Sequence, residues 1–198
     1  MMPASALAQV SLASARYPAA GGTITTTSEI LQGRLDEIAR RSSLWRDALG
    51  PLQGTDRRVV VVTPDQVLVK DTPDAVSAET FAPTVIAAVS PLPDIDSEVR
   101  TVVVVVNLAL LERVHRSRDS NVAELYWDLD RILVHEIYGH ALPYLLAGDL
   151  SGRCADPEPG QDASDACSIR RENAVREELR LGRRTGYGLE SLFLARLR

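Results

Sequence analysis

Cysteine is scarce in this chain: its 198 residues hold only Cys154 and Cys167. Twelve residues separate them, a spacing that matches no zinc knuckle, so they are not read as metal ligands. In an oxidising compartment they would close a small disulfide loop; in a reducing one they would stay free. Basic blocks are missing too. Lys and Arg total 22 against 27 Asp and Glu, a net charge of −5, which argues against nucleic acid as the main partner. No apolar run approaches the length of a membrane span, the richest, Thr101 to Leu111, being far too short. Ala6-Leu7-Ala8 before Gln9 has the form of a secretory cleavage site, although neither a charged start nor an apolar core precedes it. Export to a secreted or periplasmic location is the expectation taken from it, with the cytoplasm as the alternative. What remains is ordinary: 45% hydrophobic and 25% charged residues, enough chain for one domain with a real core.

Against that background one stretch stands out, Leu133-Val134-His135-Glu136-Ile137-Tyr138-Gly139-His140-Ala141. Two histidines and a glutamate on an apolar helix are the parts of a hydrolytic zinc site. Neutral imidazoles bind the metal, and the carboxylate beside the first can take a proton from water. The short form of such a motif, H-E-x-x-H, puts its histidines at i and i+4 on one face. Here they stand at i and i+5, which on a regular helix separates them by about 140° instead of about 40°. Both reach one ion only if the helix departs from i→i+4 bonding. Gly139 tolerates unusual backbone angles, and Pro143 cannot donate to the Gly139 carbonyl. A π-type turn or a break between Glu136 and Pro143 is therefore expected.

The motif H-E-x-x-G-H resembles that of the dipeptidyl peptidase III family, zinc peptidases in which an enlarged helical motif carries the same roles. The resemblance covers six residues, and those enzymes are far larger than this chain.

Taken in order, residues 1–27 are rich in Ala, Ser, Thr and Gly and read as a tail or signal remnant; residues 28–198 read as one domain. Ser28 opens a helical pattern with Ile30, Leu31, Leu35, Ile38 and Leu44 on one side, stopped by Gly50-Pro51. Strands are expected at 58–63, 66–70 and 84–89, the last ended by Ser90-Pro91, and at 101–106, a valine run apolar on both faces. Asn107 caps a short helix through His115, whose imidazole is expected to be exposed. A long helix spans 121–148, with Val122, Leu125, Leu129, Ile132 and Leu133 inward and Glu124, Asp128 and Arg131 outward. The acidic connection 149–165 lacks the spacing of a calcium loop and reads as solvated. The last helix runs from about 166 to 181, with Asp165 as N-cap and Gly182 as its stop. Strands first and helices after indicate an α+β domain.

The last helix reads Arg171-Glu172-Asn173-Ala174-Val175-Arg176, and Arg184-Thr185-Gly186-Tyr187-Gly188 follows it. This E-N-x-x-R helix with its R-x-x-Y-G stretch resembles the downstream half of bacterial effector and Rhs-associated toxin metallopeptidases. The likeness covers about the last third of the chain and departs from it in the enlarged histidine motif. It implies a zincin-like domain: a small mixed sheet packed on a long active-site helix, with a ligand helix near the C-terminus. It also implies the third zinc ligand, Glu172, beside His135 and His140. Glu177, Glu178, Asp149 and His115 are the competitors. Glu136 is assigned as general base, Tyr187 as donor to the oxyanion, and Asn173 and Arg176 as residues that orient Glu172 or its neighbours. The expected function is zinc-dependent hydrolysis of a peptide or protein substrate. The alternatives are an inactive zincin fold that binds a protein partner, which intact Glu136 argues against, and a structural metal module.

Overall fold

The valine run becomes an inner strand of a four-stranded mixed sheet. A computed structural model of the chain describes residues 10–12, 23–69, 86–93, 99–117, 121–147 and 163–184. Its larger sheet has the order β2 (Ile24–Thr26), β3 (Arg58–Val62), β6 (Val99–Val106), β5 (Ala87–Pro93). The first three strands run parallel and β5 runs antiparallel to β6. A separate ribbon pairs β1 (Val10–Leu12) with β4 (Val67–Val69). β-Branched side chains suit a pleated surface, and the register Val59↔Val102 through Val62↔Val105 stacks valine against valine. Val59, Val61, Val102, Val104 and Val106 enter the main core. Val60, Val62, Val103 and Val105, on the opposite face by the two-residue period, are buried as well.

Several expected boundaries move. The third strand does not stop at Ser90-Pro91 but runs on to Pro93. Proline has no N–H for a ladder, and β5 tolerates it because it is the sheet's edge, bonded only to β6, with a register shift between Leu92 and Pro93. The first helical pattern divides into α1 (Glu29–Arg41) and α2 (Ser43–Leu49). Ser42 turns extended between them; its N–H closes α1 on the Ile38 carbonyl, and its Oγ caps α2 by accepting from Trp45 N at 3.0 Å. Leu31, Leu35, Ile38 and Trp45 carry the packing, whereas Ile30 and Leu44 are exposed.

The second half is helical. Asn107 Oδ1 caps α3 (Leu108–Ser117) by accepting from Leu110 N at 2.9 Å. Asn121 and Glu124 form a capping box at the start of α4 (Val122–Leu133). Winding then changes to a π-helix over Val134–Ala141 before α5 (Leu142–Ala147) continues. α6 is Ala163–Leu179, so Asp165 lies inside it and is not its cap. α6 also ends earlier than expected. Arg180 takes the left-handed conformation (φ 59°), Leu181 N returns to Arg176 O at 2.9 Å, and Gly182 follows at φ 73°. The result is an α+β fold whose π-helix packs between α6 and strands β5 and β6. Among the described residues no helix is long and apolar enough to cross a membrane.

Asp128, Arg131 and His115 overturn the expected pattern of α3 and α4. All three are buried, while Val122, expected inside, is 63% exposed. Burying charge is tolerated where partners are present. Asp128 Oδ2 meets His115 Nε2 at 2.9 Å, Asp128 Oδ1 accepts from Arg131 Nη1 at 2.5 Å, and Arg131 Nε and Nη2 donate to the Leu181 carbonyl at 2.9 and 2.7 Å. That last contact ties α4 to the turn after α6.

Candidate metal centre

The extra residue between the histidines is absorbed by the π-winding. It starts two residues before the interval expected from the sequence and brings both rings to one side. The N–H of Leu142 bonds to the carbonyl of Ile137, five residues back. Bonding of that kind stacks residues five apart. His135 and His140 accordingly meet edge to face, with ring centroids 4.7 Å apart and planes at 88°. Their Nε2 atoms approach to 3.3 Å. Two zinc–nitrogen bonds of about 2.0–2.1 Å at a tetrahedral angle would place the nitrogens about 3.3–3.4 Å apart. The pair thus has the separation that one tetrahedral ion requires.

Gly139 serves this arrangement differently from the way its sequence position suggests. Its φ is not positive; the described glycines that need the left-handed region are Gly54 and Gly182. It is required by close approach: a Cβ there would stand 3.1 Å from Ser168 Cβ and 3.4 Å from Ser168 O. The missing side chain lets α6 lie directly on the π-helix. Pro143 offers no N–H to the Gly139 carbonyl, which accepts instead from Arg171 Nη1 at 3.2 Å. Tyr138, the residue lengthening the motif, stacks on Trp45 of α2 with centroids 6.5 Å apart.

Because α6 lies so close, Glu172, one turn beyond Ser168, reaches His135. Its Oε2 contacts His135 Nδ1, on the flank of the ring away from Nε2. Oε1 accepts from Arg176 Nη1 at 2.7 Å, and Arg184 Nη1 stands 3.3 Å from Oε2. Burial, the largest single influence, opposes ionisation of this fully buried carboxyl. His135, Arg184 and Arg176 together outweigh it and hold Glu172 below its ordinary value. Arg176 is itself lowered by burial, with Glu172 acting in the other direction.

Of the two residues expected to orient Glu172 or its neighbours, Arg176 touches it and also donates through Nε to Gly182 O at 2.8 Å. Asn173 does not. Its amide holds the backbone of Arg184, accepting from N at 2.7 Å and donating to O at 2.9 Å, and so delivers the guanidinium of Arg184 to Glu172. Glu136 is half-buried beside His135 on the π-helix. Tyr187, expected as the donor to the oxyanion, lies outside the described residues, as do Asp149 and Cys154. The described competitors for the third-ligand place are engaged elsewhere. Glu178 bonds Ser42, Ser43 and Leu44 N at the start of α2, Glu177 pairs with Arg183, and His115 pairs with Asp128. Among the described residues no group of three His, Cys, Asp or Glu side chains converges as a metal site, and Glu172 meets His135 at Nδ1.

Arg171, Arg184 and Arg131 make contacts around these residues that the local sequence does not announce. A signal existed only for Arg184, the first residue of the R-x-x-Y-G stretch. Compared with models of known protein families and with curated proteins, the chain matches none.

Proposed function

We propose that this protein is a zinc-dependent peptidase of zincin-like architecture. In this reading His135 and His140 hold the ion through Nε2 and Glu136 is the general base. The carrying observation is the 3.3 Å approach of the two Nε2 atoms on a π-wound helix that bears a glutamate next to the first of them. When bound, zinc would supply Lewis-acid polarisation and acidify a water. Glu136 takes the proton from the attacking water and passes it to the amine that leaves. Tyr187 is the proposed donor to the oxygen that becomes negative. The substrate is a peptide or protein chain. Export is part of the same proposal, supported by the disulfide bond carried by Cys167, since such bonds persist in oxidising compartments.

Elemental analysis of purified protein tests the metal. One zinc per chain is expected in the wild type and a large loss in His135→Ala and His140→Ala; full occupancy in both variants would remove the basis of the reading. Turnover of a general protein substrate tests the base. Glu136→Gln should keep the zinc and lose activity, because an amide cannot accept the water proton.

A further inference from the structure

Glu172 occupies a position its helix sequence does not announce. In an imidazole the two nitrogens lie on different flanks of the ring, so a carboxylate touching Nδ1 is not in the space beyond Nε2. We propose that Glu172 is a positioning residue: it holds His135 as the Nδ1–H tautomer and turns Nε2 toward the space shared with His140 Nε2. This rests on the zinc reading only for the identity of the cation, and it replaces the third-ligand role expected of Glu172.

The argument is one of hydrogen-bond accounting. Both carboxylate oxygens are engaged, Oε1 by Arg176 and Oε2 by His135 and Arg184. A carboxylate held by two guanidinium groups is ionised and can only accept. The hydrogen in its contact with His135 must therefore sit on Nδ1, which in a neutral ring leaves the lone pair on Nε2. Glu172 is fully buried, so water cannot substitute for any of these partners. Rotation of a histidine ring about its last torsion is roughly two-fold and would exchange nitrogen for carbon on the side facing His140. The fixed carboxylate removes that ambiguity. Its own anchor is distributed: Arg176 stands one turn further along α6, and Arg184 is set by the two backbone bonds from Asn173. Carboxylates that bond the second nitrogen of a ligating histidine orient the ring and raise its basicity.

Nitrogen-15 NMR of histidine-labelled protein, metal-free and with one equivalent of zinc, is the test. The chain has three histidines, so variants of His115 and His140 complete the assignment. In the wild type, His135 should carry its proton on Nδ1 in both samples, as a downfield, slowly exchanging resonance. Glu172→Gln should lose that resonance and weaken zinc binding by about 10–100-fold, without abolishing it as His135→Ala does. Since Glu172→Gln leaves two buried arginines facing an amide and could unfold, Glu172→Asp, which keeps the charge but shortens the reach, is the second variant, with the same direction expected. A wild-type ring protonated on Nε2 and not on Nδ1 in metal-free protein overturns the proposal whether or not any variant folds. So does a folded Glu172 variant that binds zinc as poorly as His135→Ala, which would make Glu172 a ligand. Failure of zinc to bind a wild type that shows the Nδ1–H resonance would instead leave the positioning role standing and end the zinc reading.

Discussion

The π-helix and α6 approach closely at Gly139, and this approach gives a sharp test of the geometry. Gly139→Ala would place a methyl 3.1 Å from Ser168 Cβ. Non-bonded carbons rest at about 3.5–4.0 Å, so α6 would have to retreat by about 0.4 Å or more. Overpacking of this kind costs about 1–3 kcal/mol. Alanine is also the better helix former, by about 1 kcal/mol over glycine. The two effects oppose, and the expected net result is a loss of stability between zero and about 2 kcal/mol. Removing the opposing atom separates them. In a Ser168→Gly background, Gly139→Ala should lose most of its penalty and retain the propensity gain, so a double-mutant cycle should show a coupling of about 1–3 kcal/mol. Urea unfolding of the four proteins measures this. The same retreat would move Glu172, one turn beyond Ser168, away from His135; misplacement by part of an ångström should lower turnover by on the order of tenfold. If Gly139→Ala stabilises the protein by about 1 kcal/mol in both backgrounds, the close approach of α6 is not real.

Deleting Tyr138 would restore the i, i+4 spacing of the histidines. Because the π-winding absorbs one extra residue, the segment could then return to α-winding with Leu142 and Leu145 in register, but the ring that stacks on Trp45 would be gone, so an earlier thermal transition in calorimetry is expected. Asp130, 1% exposed and bound to Arg34 at 2.6 Å, is raised above its ordinary value because burial outweighs the ion pair. A raised carboxyl binds protons more readily when folded, so its contribution favours the fold at low pH and is lost as pH rises through the folded value. Arg34→Met should therefore cost on the order of 3 kcal/mol at neutral pH and clearly less in acid; an equal cost at both would refute this. Thiol titration of denatured, unreduced protein should find no free thiol, given the disulfide at Cys167, and two free thiols would count against both the bridge and export.

The features legible in the sequence are those whose cause lies within a few residues. Histidines five apart cannot share an ion on a regular helix, so the π-winding follows from the spacing alone, and the caps at Ser28, Asn107 and Asn121 follow from side chains that bond their own neighbours. What escaped has its cause on another element. Asp128 and Arg131 fit the outward face of α4 by periodicity, yet they lie inside, because His115 of α3 and the Leu181 carbonyl supply partners that periodicity cannot see. Gly139 looks like a backbone hinge until Ser168 is placed against it. Glu172 shows the same limit within the site itself. Its helix brings it against His135 at Nδ1. The flank of the ring it faces depends on Arg176, Arg184 and the turn that Arg131 and Asn173 hold, four partners of which only Arg176 and Asn173 are near it in sequence. Whether a carboxylate binds a cation or orients the group that does is decided by such partners, and residue type leaves it open.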